Sequence, residues 1–257
     1  MAEAILSTRE LTHDFGAFRA VDNVSLHINQ GSITGLIGPN GAGKSTVFNL
    51  LTGMLKPVSG KVFLQDNDVT GLPPDQMFAL GLGRTFQIPR PFSRMSVLEN
   101  VMMAPLAQVG ESILGPFLKR SRVLEQEAAI LKRAMEVLDF VTLADLADHP
   151  AGKISGGQMK LLELARVLMG DPDIILLDEP AAGVNPVLIQ TLIEKIEELN
   201  RQGKTFVIIE HDMDFVMQHC DPVIALAEGR IVFEGSAKEA QVNPLLLDAY
   251  LGALADE

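Results

Sequence analysis

The residues best suited to chemistry lie in one stretch, Gly38-Pro39-Asn40-Gly41-Ala42-Gly43-Lys44-Ser45-Thr46, which reads G-x-x-x-x-G-K-S. Glycines at 38, 41 and 43 let backbone N–H groups turn inward around phosphate oxygens, and a helix start just beyond adds positive potential there. From such a loop Lys44 reaches the β- and γ-phosphates of a nucleoside triphosphate, and Ser45 offers its hydroxyl to Mg²⁺. The pattern carries weight only between a strand and a helix. Both are expected here: residues 33–37 are a short apolar run that reads as a buried strand, and residues 44–51 read as a helix ending near Gly53.

Two further segments fit the same chemistry. Residues 174–177 are apolar and end in Asp178-Glu179. A buried strand would deliver Asp178 to its tip, where a carboxylate can complete a Mg²⁺ shell opposite Ser45. Glu179, one residue on, can polarise an attacking water as general base. In Ile154-Ser155-Gly156-Gly157-Gln158, Ser155 is a good helix cap, but two glycines directly after it weaken the helix start. They make sense if the N–H groups must approach another anion closely. Taken alone, Gln87 at a strand end and His211 after an apolar strand carry no such argument.

The elements that must position these residues alternate between strand and helix on either side of a helical stretch. Strands are expected over residues 5–11, 21–28, 60–65, 82–86, 174–177 and 206–209, with a hairpin of 222–227 and 230–234 joined at Glu228-Gly229. Asp66-Asn67-Asp68 reads as a polar turn. A proline-marked break at Ile88-Pro89-Arg90-Pro91-Phe92 opens the helical stretch, with helices over 97–103 and 121–140. The second of these places Leu124, Ile130, Leu131, Met135, Val137 and Leu138 on one side. Helices are also expected from Ser155 to Met169 and from Pro186 to Arg201. The latter carries an apolar stripe through Leu188, Ile189, Leu192, Ile193, Ile196 and Leu199, and its Glu194, Glu197 and Glu198 form a solvated face. The result is an α/β core holding a helical insertion at roughly residues 88–165.

Composition narrows the class. Hydrophobic residues at 47% and charged residues at 21% describe a globular chain, not a disordered one. The net charge of -12 argues against nucleic acid as a partner. Cys220 is the sole cysteine, so no intrachain disulfide can form; it is expected to pack as a small hydrophobe in a reducing compartment. No apolar run is long enough to span a bilayer, and the N-terminus lacks the pattern of a signal peptide. A cytoplasmic location is expected, with any membrane crossing left to another chain. Met213 and Met217, four apart, are expected to pack in the core.

In their order, the phosphate loop, Gln87, Ser155-Gly156-Gly157-Gln158, Asp178-Glu179 and His211 resemble the ATP-binding cassette of ABC transporters, and the likeness covers nearly the whole chain. The resemblance implies one α/β P-loop NTPase cassette over residues 1–257, with a RecA-like core, an antiparallel β subdomain and a helical subdomain. It implies ATP and Mg²⁺ as ligands. Gln87 would sense Mg²⁺ and water and couple the core to the helical insertion, and His211 would touch the γ-phosphate and Glu179. Phe15, with Phe18 as the alternative, would stack on adenine. Residues 155–158 would cap the ATP held by a second cassette, so two ATP molecules would lie between a head-to-tail pair. The chain departs from the family at Asn185, where an aspartate usually closes the loop after the glutamate. That change should affect signalling between cassettes more than ATP binding, and Asn185-Pro186 is also a good helix start.

Finer likenesses point to the larger cassette of branched-chain (hydrophobic) amino-acid importers, the Liv type. They are Asp14-Phe15-Gly16, Ala20-Val21-Asp22-Asn23-Val24-Ser25, Arg84-Thr85-Phe86-Gln87, residues 179–186, Glu210-His211-Asp212-Met213-Asp214 and Ala249-Tyr250-Leu251-Gly252. An asparagine at 185 is common in that group. The partners implied are a second, smaller cassette or another copy of this chain, two transmembrane permease subunits and, indirectly, an extracytoplasmic binding protein. The place implied is the cytoplasmic face of the membrane. The alternatives are another importer, for urea or amides, a lipid exporter, or a soluble ABC ATPase with no transport role.

Overall fold

The structure, a computed structural model, describes residues 4–85, 89–105, 120–244 and 246. It falls into two compact units: residues 1–84, 173–182 and 196–257 form the first, and residues 85–172 with 183–195 the second.

All described strands lie in the first unit, in two sheets. The larger has the order β11-β10-β4-β9-β8-β7. Its strands are β4 (Ile33–Ile37), β7 (Leu82–Arg84), β8 (Ile174–Asp178), β9 (Thr205–Ile209), β10 (Val223–Ala227) and β11 (Arg230–Gly235). Pairing is parallel from β10 to β7, and only the β10–β11 hairpin is antiparallel. Every residue of β8 and β9 is buried, which is why residues 174–177 and 206–209 read as unbroken apolar runs, as strands covered on both faces must. Gly35 sits mid-strand in β4 because the Met213–His219 helix packs hard against it: a Cβ there would lie 2.9 Å from Val216 Cγ1 and 3.1 Å from Cys220 Cβ. Cys220 is buried as expected, and burial, with a smaller push from the charge of Glu210, raises its thiol to about 12.

The smaller sheet is antiparallel. It contains β1 (Ala4–Phe15), β2 (Phe18–Val24), β3 (His27–Asn29), β5 (Ser59–Leu64) and β6 (Asn67–Asp68). Three expectations change here. The first strand runs on to Phe15, to the tip of a hairpin in which Phe15 pairs with Phe18. Residues 21–28 are two strands, not one: β2 pairs the second half of β1 and β3 the first half. Glu10 and Asn23 have positive φ, Thr8 takes the Leu26 N–H, and the Ser25 hydroxyl takes the Glu10 N–H. These local bonds break the ladder where the chain changes partner. The polar turn is confined to Gln65-Asp66, both left-handed, after which Asn67 and Asp68 pair back on β5. β7 is described as far as Arg84; Phe86 lies outside the described residues.

The second unit is helical among its described residues. Val97–Met102 is closed by a Ser96/Glu99 capping box, and Arg120–Phe140 and Gly156–Leu168 are the longer helices. The expected stripe on Arg120–Phe140 is only partly realised. Val137 and Leu138, with Ala134, are buried, whereas Leu124, Leu131 and Met135 are exposed. The helices of 97–102 and 156–168 pack against this one, and its buried residues all lie in its C-terminal turns. Met213 and Met217 of the first unit are half-buried; Phe215 and Val216 are the core residues of their short helix.

Candidate active site

The phosphate loop lies between β4 and the Lys44–Leu51 helix. Two of its glycines are fixed by space as well as by φ. A Cβ at Gly38 would meet the Leu226 carbonyl oxygen at 2.2 Å, and one at Gly43 would meet the Ala20 oxygen at 2.5 Å. The β10–β11 turn closes behind the loop, where the Gly229 N–H donates to the Ala42 carbonyl. The helix has no side-chain cap and no acidic residue in its first turn, so its first N–H groups keep the character of an anion site. Lys44 is buried and its ammonium donates to the carbonyls of Gly38 (2.7 Å) and Pro39 (3.0 Å). Burial lowers its pKa, while the charges of Glu179 and Asp178 act the other way.

Asp178 ends β8, buried, with its two oxygens in different situations. Oδ2 accepts from Arg84 Nη2 at 2.9 Å; Oδ1 is buried with no hydrogen-bond partner among the described residues. Arg84 Nη1 also donates to Asn49 Oδ1 (2.6 Å) and Thr52 Oγ1 (3.3 Å) on the phosphate-loop helix, and its guanidinium lies 5.6 Å from the Phe48 ring centre. An orphaned buried carboxylate oxygen is what a Mg²⁺ shell would use, so the residues fit the cation. Among the described residues no cluster of three His, Cys, Asp or Glu side chains could hold a metal. None is needed for a cation bound by one carboxylate, a hydroxyl and substrate phosphates.

Glu179 follows with φ of 46°, in the left-handed region that a non-glycine residue enters only under constraint. Its N–H donates to the Ile209 carbonyl, extending the β8–β9 pairing by one bond (2.9 Å). Glu210 is 1% exposed on its side chain, and it accepts from the Ala181 N–H at Oε1 (2.9 Å) and the His211 N–H at Oε2 (3.2 Å). Burial raises its carboxyl pKa against the effect of those two bonds. His211 itself is 63% exposed, so it is presented to solvent and not packed as a core histidine. Phe15 and Phe18 are both exposed at the hairpin tip, and Phe15 makes an edge contact with His13.

The first unit thus brings together the phosphate loop, Arg84, Asp178, Glu179, Glu210 and His211. Arg84 and Glu210 appear in the sequence only within motifs, without a role; their signal is a charged residue at the end of a buried strand. Gln87 and Ala249-Tyr250-Leu251-Gly252 lie outside the described residues.

Residues 155–158 belong to the second unit. Ser155 caps the Gly156–Leu168 helix in a full capping box with Gln158. The reading of the glycine pair needs correcting at one position. A Cβ on Gly157 would meet Leu188 Cδ1 at 2.5 Å, Val184 Cγ1 at 2.9 Å and Leu188 Cβ at 3.0 Å, so packing alone demands that glycine. At Gly156 the nearest atom is the Gly183 oxygen at 3.9 Å, and that face is open to approach. Gly157→Ala is therefore expected to cost about 1–3 kcal/mol in urea unfolding, as overpacking does. Gly156→Ala should stay within about 0.5 kcal/mol or stabilise. Equal losses at both positions would contradict the packing argument. Asn185 is a cap as read, its Oδ1 accepting from the Leu188 N–H at 3.0 Å.

A phosphate loop joining a parallel strand to a helix, an Asp-Glu pair at the end of a strand two places along the same sheet and a separate antiparallel sheet define a P-loop NTPase of the cassette type: a RecA-like core, an antiparallel β subdomain and a helical subdomain. Residues 21–182 match the ABC transporter family. The chain belongs to that family, as its ATP-binding cassette. It is 41% identical to a probable branched-chain amino acid transport ATP-binding protein, LivG, of Archaeoglobus fulgidus, over 98% of this chain and 97% of that one. Among solved structures it is similar to a nucleotide-free ATP-binding cassette from an ABC transporter (TM-score 0.85, 39% identity, 96% of this chain and 99% of the other). It is also similar to the ADP conformation of the cassette MJ1267 (TM-score 0.82, 38% identity, 98% and 100%). No helix among the described residues is long and apolar enough to cross a membrane.

Proposed function

We propose that this chain is the ATP-hydrolysing subunit of an importer of branched-chain or other hydrophobic amino acids, working beside separate membrane subunits at the cytoplasmic face. The observation that carries the substrate class is its relationship, along nearly its full length, to the archaeal LivG. The site supports the chemistry. Residues 38–46 hold the triphosphate, with Lys44 exchanging its two loop carbonyls for phosphate oxygens. Asp178 and the Ser45 hydroxyl, with Gln87 from the motif, would hold Mg²⁺, which would supply positive charge against the triphosphate. Glu179 takes a proton from the attacking water, and His211 contacts the γ-phosphate. Phe15 stacks on the adenine.

Ser155, Gly156, Gly157 and Gln158 cap the ATP of a second cassette, a smaller homologue or another copy of this chain. The open face at Gly156 and the helix N-terminus beside it support that reading. Deleting the gene is expected to abolish uptake of leucine, isoleucine and valine in radiolabel assays. Loss confined to urea, short amides or lipid would overturn the substrate class.

A further inference from the structure

We propose that Glu210 is a positioning residue for hydrolysis: its buried carboxylate ties the turn after Glu179 to the backbone of His211, so that base and histidine are held as one unit. This rests on the reading of Glu179 as the base. Three bonds make the frame. The Glu179 N–H is fixed on Ile209, the Ala182 N–H closes a turn onto the Glu179 carbonyl at 3.2 Å, and Glu210 holds the Ala181 N–H between them. The second oxygen of the same carboxylate takes the His211 N–H and lies 3.7 Å from His211 Nδ1. A carboxyl group has an oxygen for each amide; an amide side chain has one acceptor oxygen, and a hydroxyl cannot reach both ways.

The frame matters because Glu179 sits in a backbone region it would not choose. A left-handed non-glycine residue persists where its surroundings over-determine it. Glu210 supplies that constraint from the adjacent strand. The groups in its electrostatic field are His211, Glu179 and the Cys220 thiol. Burying a carboxylate beside a second carboxylate is unfavourable, and two backbone N–H bonds are what hold it there. A core leucine would be simpler if stability were the only demand.

The test compares Glu210→Gln with wild type in the full chain, reading ATP turnover and binding of a fluorescent ADP analogue separately. We expect kcat to fall about tenfold to a hundredfold, the scale of a small misplacement of a reacting group. Nucleotide affinity should stay within about twofold, because the two amides that Glu210 binds, those of Ala181 and His211, lie outside the phosphate loop. The double variant Glu179→Gln/Glu210→Gln should be no slower than Glu179→Gln alone, as for two residues acting through one group. Turnover near wild type in Glu210→Gln, or a parallel loss of nucleotide affinity, overturns the proposal. Should the variant not fold, amide hydrogen exchange on the wild-type chain decides: Ala181 and His211 are expected to be protected together, and free exchange at Ala181 overturns it. Full hydrolysis by Glu179→Gln would instead overturn the base assignment, whatever Glu210 does.

Discussion

Glu179→Gln is expected to bind ATP normally and to hydrolyse it about 10²–10⁴ times more slowly, the usual contribution of a positioned general base. In free energy that is about 3–5 kcal/mol of transition-state stabilisation. The substitution keeps the shape of the side chain and leaves the backbone bond from residue 179 to Ile209 in place, so the site should stay assembled. What it removes is the capacity to take a proton. The phosphate contacts proposed above come chiefly from residues 38–46, in a different loop, so affinity has no reason to fall. One charge does change: Glu179, more than Asp178, sustains the protonated form of buried Lys44. Its removal lowers the pKa of Lys44 further, and ammonium paired with phosphate offsets that once nucleotide is bound. Single-turnover phosphate release and equilibrium nucleotide binding check the two halves, and the ATP-bound pair of cassettes should accumulate. Wild-type rates in this variant would remove Glu179 from the mechanism.

Arg84→Met should be the most damaging change to the core. It strips Asp178 of its ion-pair partner while both are largely buried, with side-chain exposures of 12% and 5%. Breaking a buried pair from one side typically costs about 3–5 kcal/mol, because the remaining charge has neither water nor partner. Asn49 and Thr52 lose their shared donor as well, which loosens the attachment of the phosphate-loop helix to β7. Arg84→Lys should recover part of the loss. An ammonium restores the charge but lacks the fork that serves Asp178 and Asn49 together. Urea titration, following the transition of the first unit, reads both. A loss below about 1 kcal/mol for Arg84→Met would mean that the pair behaves like a solvated surface bridge.

Much of the molecule was readable as text because its signals are local. β4, β8 and β9 are apolar runs of strand length bounded by breakers, and burial on both faces leaves no other composition open to them. The Pro186–Arg201 helix announces itself through a 3.6-residue period and an asparagine cap. Errors occur where one stretch of chain serves two neighbours. β1 pairs with β2, β3 and β5 at once, and a reading by propensity cannot see where the partner changes. The exposed half of the Arg120–Phe140 helix shows the same limit, since periodicity reports an apolar face and not whether anything packs on it. Gly157 reads from sequence as a ligand requirement, whereas Val184 and Leu188, some thirty residues downstream, already crowd a Cβ there.

Residue order is enough to reveal the glycine-rich phosphate loop, the carboxylates at the end of β8 and the alternation of strand and helix that delivers them. Those depend on residue type and short spacing, which the chain carries before it folds. Folding is what gives one Asp178 oxygen to Arg84 and leaves the other without a hydrogen-bond partner among the described residues. It also decided that Glu210, thirty-one positions after Glu179, holds the turn that follows it. Such contacts arise from parallel pairing between strands far apart in the chain, and no local pattern encodes which buried charges will meet.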